Sequence, residues 1–239
     1  MRKPFIVANW KMNFLHDDAI NYIQKLILGT IDIHNTEIGV AAQDIFLKEL
    51  SDSTLNTNIK IVAQNAHWKN EGSYTGETSP MALSDLGVDY VMLGHFERRQ
   101  LFNETNETVN RKLRNALNNN LDVIVDVEEL EQVEPVLKFI TEEQMARISI
   151  AFEPTYAIGT GKAASAQGAQ DVAKAIRDIV RENYGSNVSE GLRVLYGGSV
   201  DINNELDFVL QEDIDGVLVG KASLNVDNFI KMIQKLSNL

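Results

Sequence analysis

Several short apolar runs in the sequence end beside a group that can move a proton or hold an anion. In AFEPTYAIGTGK, Glu153 closes the run ISIAF and stands immediately before Pro154. A carboxylate at the rim of a low-dielectric core loses hydration, which suits it to proton abstraction. Pro154 fixes one backbone angle, while Gly159 and Gly161 give the following segment freedom to close over a ligand and exclude water. An ordinary glycine-containing strand–helix connection is the competing reading. In LGHFERR, His95 reads as a neutral electrophile, a base or a hydrogen-bonded structural histidine. In NWKMN, Asn9 and Lys11 are one residue apart, and alternate positions of an extended segment face the same side. YGGSV and LVGKASL end in small residues followed by helix-like sequence, so backbone N–H groups from two turns can converge on one anion.

These groups need a frame, and the spacing of the apolar runs supplies one. Eight runs recur: PFIVAN from 4, IGVAAQ from 38, IKIVAQN from 59, YVMLG from 90, LDVIVDV from 121, ISIAF from 148, RVLYGG from 193 and DGVLVG from 215. Each is too short for a helix, and most are apolar at consecutive positions, as in parallel strands covered on both faces. Helix-like stretches lie between them. The stretch from 166 places Val172, Ala175, Ile176, Ile179 and Val180 on one stripe, and that from 104 places Val109, Leu113, Ala116 and Leu117 on another. Ser79 before Pro80 reads as a helix start. With no Gly/Ser-rich linker, the pattern predicts a single closed (β/α)8 barrel over residues 1–239, with chemistry at the C-terminal ends of its strands. An open doubly wound sheet is the alternative, but no G-x-G-x-x-G follows the first strand.

Composition narrows the function. A formal charge of −12 argues against general attraction to nucleic acid or anionic lipid, so an anionic substrate requires locally built positive potential. The chain has no cysteine, which removes disulfide and thiolate chemistry and fits a reducing, cytoplasmic setting. No segment approaches the roughly 18 apolar residues of a membrane helix. His16, His34 and His67 show no ligand spacing with one another or with His95, so no metal site is expected.

NWKMN, QNAHW…GSYTGE, LGHFERR, AFEPTYAIGTGK, LYGGSV and DGVLVGKASL follow one another in an order and spacing that resemble the triosephosphate isomerase family over essentially the whole chain. The resemblance implies interconversion of dihydroxyacetone phosphate and glyceraldehyde 3-phosphate through an enediol, without a cofactor. It implies that Glu153 moves the proton, that neutral His95 polarises the carbonyl, and that Lys11 and Asn9 supply charge and a hydrogen bond, with Glu97 close by. It assigns the phosphate to backbone N–H groups of Gly159, Ser199, Gly220 and Lys221, and the lid to Pro154, Tyr156, Ala157, Ile158, Gly159, Thr160, Gly161 and Lys162. It further implies a homodimer in which a third loop, residues 66–79 with Thr75 at its tip, enters the neighbouring subunit. Glu77 and Arg98 belong to that interface.

The sequence departs from the family pattern in places that bear on function. Phe96 stands where serine is usual, beside the histidine. Asp126 and Glu128 replace a cysteine and a glycine, although Glu129 remains, and an added carboxylate near Glu153 disfavours its ionised form if both are buried. Tyr156 stands where tryptophan is frequent, and Lys221 stands in place of a glycine. The segment 128–142 is several residues short, so the helix after the fifth strand is expected to be truncated or replaced. These differences leave open an isomerase for a larger, tetrose phosphate, and a barrel that binds a sugar phosphate without turning it over.

Overall fold

A computed structural model describes residues 2–154 and 164–239. Among them, eight parallel strands close into a barrel in sequence order: β1 (Phe5–Asn9), β2 (Glu37–Ala42), β3 (Ile59–Ala63), β4 (Tyr90–Leu93), β5 (Asp122–Val127), β6 (Ile148–Phe152), β7 (Arg193–Tyr196) and β8 (Gly216–Val219). All eight coincide with the apolar runs of the sequence. The seam between β8 and β1 pairs Phe5 with Gly216. A β-carbon on residue 216 would lie 1.8 Å from the carbonyl oxygen of Phe5, so glycine is what lets the barrel close there.

Strand alternation divides the core into two. Outward side chains pack against the surrounding helices, while Val7, Val62, Met92, Ile124, Ala151 and Leu218 belong to a separate cluster inside the barrel. The N-terminal end of the interior is polar: Tyr90 Oη donates to Glu37 Oε1 at 2.6 Å, and Arg193 Nη1 donates to Glu37 Oε2 at 3.1 Å. An ionic plug below and an apolar layer in the middle leave the C-terminal mouth as the open end.

The helices follow the sequence with one difference. Helix Asn106–Asn118 buries the predicted Val109, Leu113, Ala116 and Leu117, and Ser79 caps helix Pro80–Asp85 by accepting the N–H of Ala82. Helix Ala166–Tyr184 buries Ala169, Ala173, Ile176, Arg177 and Val180, leaving Val172, Ala175 and Ile179 half-buried. The stripe is therefore rotated from its predicted position. Arg177 causes this, since it pairs with Asp213 at 2.9 Å and Asp215 at 3.0 Å and so enters a face that hydropathy alone would deny it. After β5, as the shortened 128–142 segment leads one to expect, a 3-10 turn (Leu130–Gln132) and helix Val133–Leu137 stand in place of one long helix. Phe139, at φ 65°, turns the chain away from helical geometry.

Candidate active site

Counting two residues on from the inward-facing Val7, Ile124 and Ala151 reaches Asn9, Asp126 and Glu153, so all three point into the barrel mouth. The rigid sheet fixes Glu153, whose backbone N–H donates to Val127 at 2.9 Å. His95 follows β4 and caps helix Phe96–Phe102, its Nδ1 accepting the backbone N–H of Glu97 at 3.3 Å. With Nδ1 an acceptor, the neutral ring carries its hydrogen on Nε2. That nitrogen lies 3.3 Å from Oε1 of Glu153, and Oε2 accepts the backbone N–H of Phe96, also at 3.3 Å. Hydrogen bonds to an ionised carboxylate are commonly about 2.7–2.9 Å. Both contacts are longer, so they aim the carboxyl group through weak hydrogen bonds rather than a tight pair.

Lys11 arrives by a route that alternation did not foresee. β1 ends at Asn9, and Lys11 occupies a turn with φ 51°. Asn9 Oδ1 accepts the N–H of Lys11 at 2.9 Å, and Gln64 Nε2 donates to its carbonyl at 3.0 Å. The turn is thus held from both sides, which offsets the cost of a left-handed non-glycine residue. The ammonium reaches Glu97 Oε1 at 2.8 Å and lies 5.2 Å from the centre of the Phe96 ring. The ring in turn lies 4.9 Å from that of His95, so Phe96 fills the corner between the two.

Asn9, Lys11, His95, Glu97 and Glu153 share a cavity of about 740 Å³ with Ser199, Gly220 and Lys221 on its opposite rim. Lys221 opens the 3-10 turn Lys221–Leu224 and does not have positive φ, so its side chain imposes no backbone strain. Pro154 is buried directly behind Glu153. Tyr156, Ala157, Ile158, Gly159, Thr160, Gly161 and Lys162 lie outside the described residues. Of the residues expected at a dimer interface, Thr75 and Glu77 are exposed, while Arg98 is half-buried, 2.5 Å from Glu104. Met12, Ile45, Glu77, Arg98 and Phe102 line a second cavity of about 530 Å³ that also reaches Lys11 and His95.

Asp126 is fully buried and, among the described residues, neither of its oxygens has a hydrogen-bond partner. Burial first, and then the neighbouring charge of Glu153, holds its carboxyl well above the usual carboxylate range, against weaker opposition from Arg99 and Lys11. Burial also raises Glu128, with Arg99 opposing, and lowers Arg99. Sequence reasoning missed the Phe96 N–H, the Gln64 clamp and the closeness of Gly197 to Glu153, where a β-carbon would meet the carboxylate side chain. The first is a backbone group, and backbone groups leave no signature in residue type.

A glutamate carboxyl and an imidazole on one wall, a lysine side chain beside them, and glycine-containing turns on the other make this a barrel suited to shifting protons on a small anionic carbonyl compound. The family model described as triosephosphate isomerase matches residues 4–236, and the chain belongs to that family. A protein named triosephosphate isomerase from Alkaliphilus oremlandii is 42% identical over 98% of this chain and 99% of its own length. Those of the same name from Caldanaerobacter subterraneus subsp. tengcongensis and Streptococcus agalactiae serotype Ia are 42% and 38% identical, each covering at least 97% of this chain and 98% of their own.

Proposed function

We propose that residues 1–239 act as one domain that interconverts dihydroxyacetone phosphate and glyceraldehyde 3-phosphate. The observation that carries the reading is the 3.3 Å approach of Glu153 Oε1 to His95 Nε2 across a cavity whose other rim is Ser199, Gly220 and Lys221. Glu153 takes a proton from the carbon beside the carbonyl, the C–H electrons form the C=C bond, and the carbonyl electrons move onto oxygen. His95 Nε2–H and the Lys11 ammonium face that oxygen as its charge develops, and such donors lower a barrier by a few kcal/mol each. His95 relays a proton between the two oxygens, and Glu153 returns its proton to the neighbouring carbon. Nothing is oxidised or reduced overall, so the chain's own side chains suffice.

Relatives named for the triose reaction support it over a tetrose phosphate or a purely binding role. A coupled assay with glyceraldehyde 3-phosphate tests the reading. Glu153→Gln should lower kcat/KM by about 10²- to 10⁴-fold, and equal background rates for both proteins would reject it. Faster turnover of a tetrose phosphate would promote the larger-sugar reading, and phosphoglycolate binding without any turnover would favour the binding module.

The chain is further proposed to work as a cytoplasmic homodimer. Met12, Ile45 and Phe102 expose apolar surface around the second cavity, and Tyr74 is exposed in the loop that precedes Glu77. Covering such a patch with the corresponding loop of a second copy removes it from water. The cysteine-free composition is compatible with a reducing compartment. Sedimentation should give a dimer that Thr75→Arg dissociates, and a monomeric wild type would overturn this.

A further inference from the structure

Below the proton-transfer pair lies a second carboxyl group that the reaction above does not use. Asp126 pairs in register with Ala151 on β6, two residues before Glu153, and its side chain is on the barrel's inner face. It is 1% exposed, and both oxygens lack hydrogen-bond partners among the described residues. A carboxylate in such a place is costly unless a cation is paired with it. Three charged groups face it: Glu153 from β6, Arg99 from the helix after β4, and Lys11 from the turn after β1. Both cations are committed elsewhere. Lys11 is 2.8 Å from Glu97, while Arg99 donates to the Gly94 carbonyl and Asn106 Oδ1 at 2.7 Å and touches only the backbone carbonyl of Asp126. On the outer side of β4 and β5, Lys112 is held by Glu104 and Asn65. Glu153, by contrast, has two donors.

We propose that Asp126 is a positioning residue for the isomerisation: its carboxyl stays protonated beneath Glu153, so the pair carries one negative charge, confined to the carboxyl that reaches the cavity. This rests on the isomerase reading. The direction of the Asp126 shift agrees with it. Two adjacent carboxylates cannot both ionise cheaply, and the proton settles on the one with no partner. Were Asp126 to lose its proton, a second negative charge would lie under the place where the substrate oxygen becomes negative. The site thereby gains an alkaline ionisation that shuts it down.

Infrared titration of the wild type, read beside kcat/KM, tests this. The wild type should show a protonated-carboxyl C=O band at pH 7 that disappears at alkaline pH and is absent from Asp126→Asn. In Glu153→Gln, which removes the like charge, the band should disappear at lower pH. With each kcat/KM profile scaled to its own maximum, Asp126→Asn should lack an alkaline limb that the wild type shows. At the pH where the wild type has fallen tenfold, the variant should have fallen by less than threefold. Absence of the band at pH 7, no change of its midpoint in Glu153→Gln, or superimposable alkaline limbs would each overturn the proposal. If Asp126→Asn fails to fold, the titrations of the other two proteins still decide. Failure of the wild type to turn over the triose would sink the isomerase reading and leave the infrared result standing.

Discussion

A β-carbon on Gly197 would sit 2.7 Å from Cγ of Glu153 and 3.3 Å from its Oε1, so the base keeps its place only because residue 197 has no side chain. The first glycine of YGGSV is thus tied to the carboxylate rather than to the anion. Gly197 does not have positive φ, so alanine is compatible with the backbone there and the conflict is confined to the side chain of Glu153. Gly197→Ala should displace the carboxylate, lowering kcat/KM by about 10²-fold, as a misplacement of roughly 1 Å does. Steady-state kinetics would check it, and a loss below threefold would show that the base does not depend on this spacing.

Lys11 faces the cavity with its ammonium shared between Glu97 and the Phe96 ring. Lys11→Met keeps a similar length and removes the charge, leaving Glu97 without its cation. If the ammonium stabilises the oxygen as it becomes negative, kcat and kcat/KM should fall together, by about 10²- to 10³-fold. A rise in KM with kcat preserved would instead make Lys11 a general anion attractor.

The barrel was legible because its strands are covered on both faces and read as consecutive apolar runs. The ends of those runs located Asn9, His95 and Glu153. What failed to show in the sequence depends on distances between strands. Lys11 was expected in an extended segment, but the side chains of Asn9 and Gln64 hold it in a left-handed turn. Arg177 is buried because Asp213 and Asp215, far along the chain, meet it. Which of Asp126 and Glu153 keeps a proton is decided by hydrogen-bond donors, one of them the backbone N–H of Phe96. Residue type does not encode such a donor.

Lys221 lies on the rim opposite Glu153, with its side chain exposed. An exposed ammonium near a phosphate dianion contributes modestly, on the order of 1 kcal/mol, and salt screens it. Lys221→Gly should therefore weaken phosphoglycolate binding roughly fivefold at low salt, and less at high salt, while the rate constant of proton transfer stays nearly constant. Calorimetry at two ionic strengths checks this, and unchanged affinity at low salt would remove Lys221 from the site.

The buried carboxyl of Asp126 also bears on stability, with a definite sign. Its folded-state pKa is raised above the unfolded value, so between the two the folded chain holds a proton that the unfolded chain has released. Unfolding free energy then falls as pH rises, at about 1.4 kcal/mol per pH unit from this group. Its contribution is fully present below the unfolded value, near pH 4, and is lost progressively up to the folded value. Asp126→Asn has no such slope, although its unpaired amide sets its own offset. Denaturant unfolding followed upward from pH 5 should therefore show the wild type losing stability relative to the variant until the folded-state value is passed. The difference in slope is the readout, since the offset carries the cost of the amide. Parallel curves would mean that Asp126 is ionised in the folded protein, with a counter-ion supplied by Arg99 or Lys11 after rearrangement.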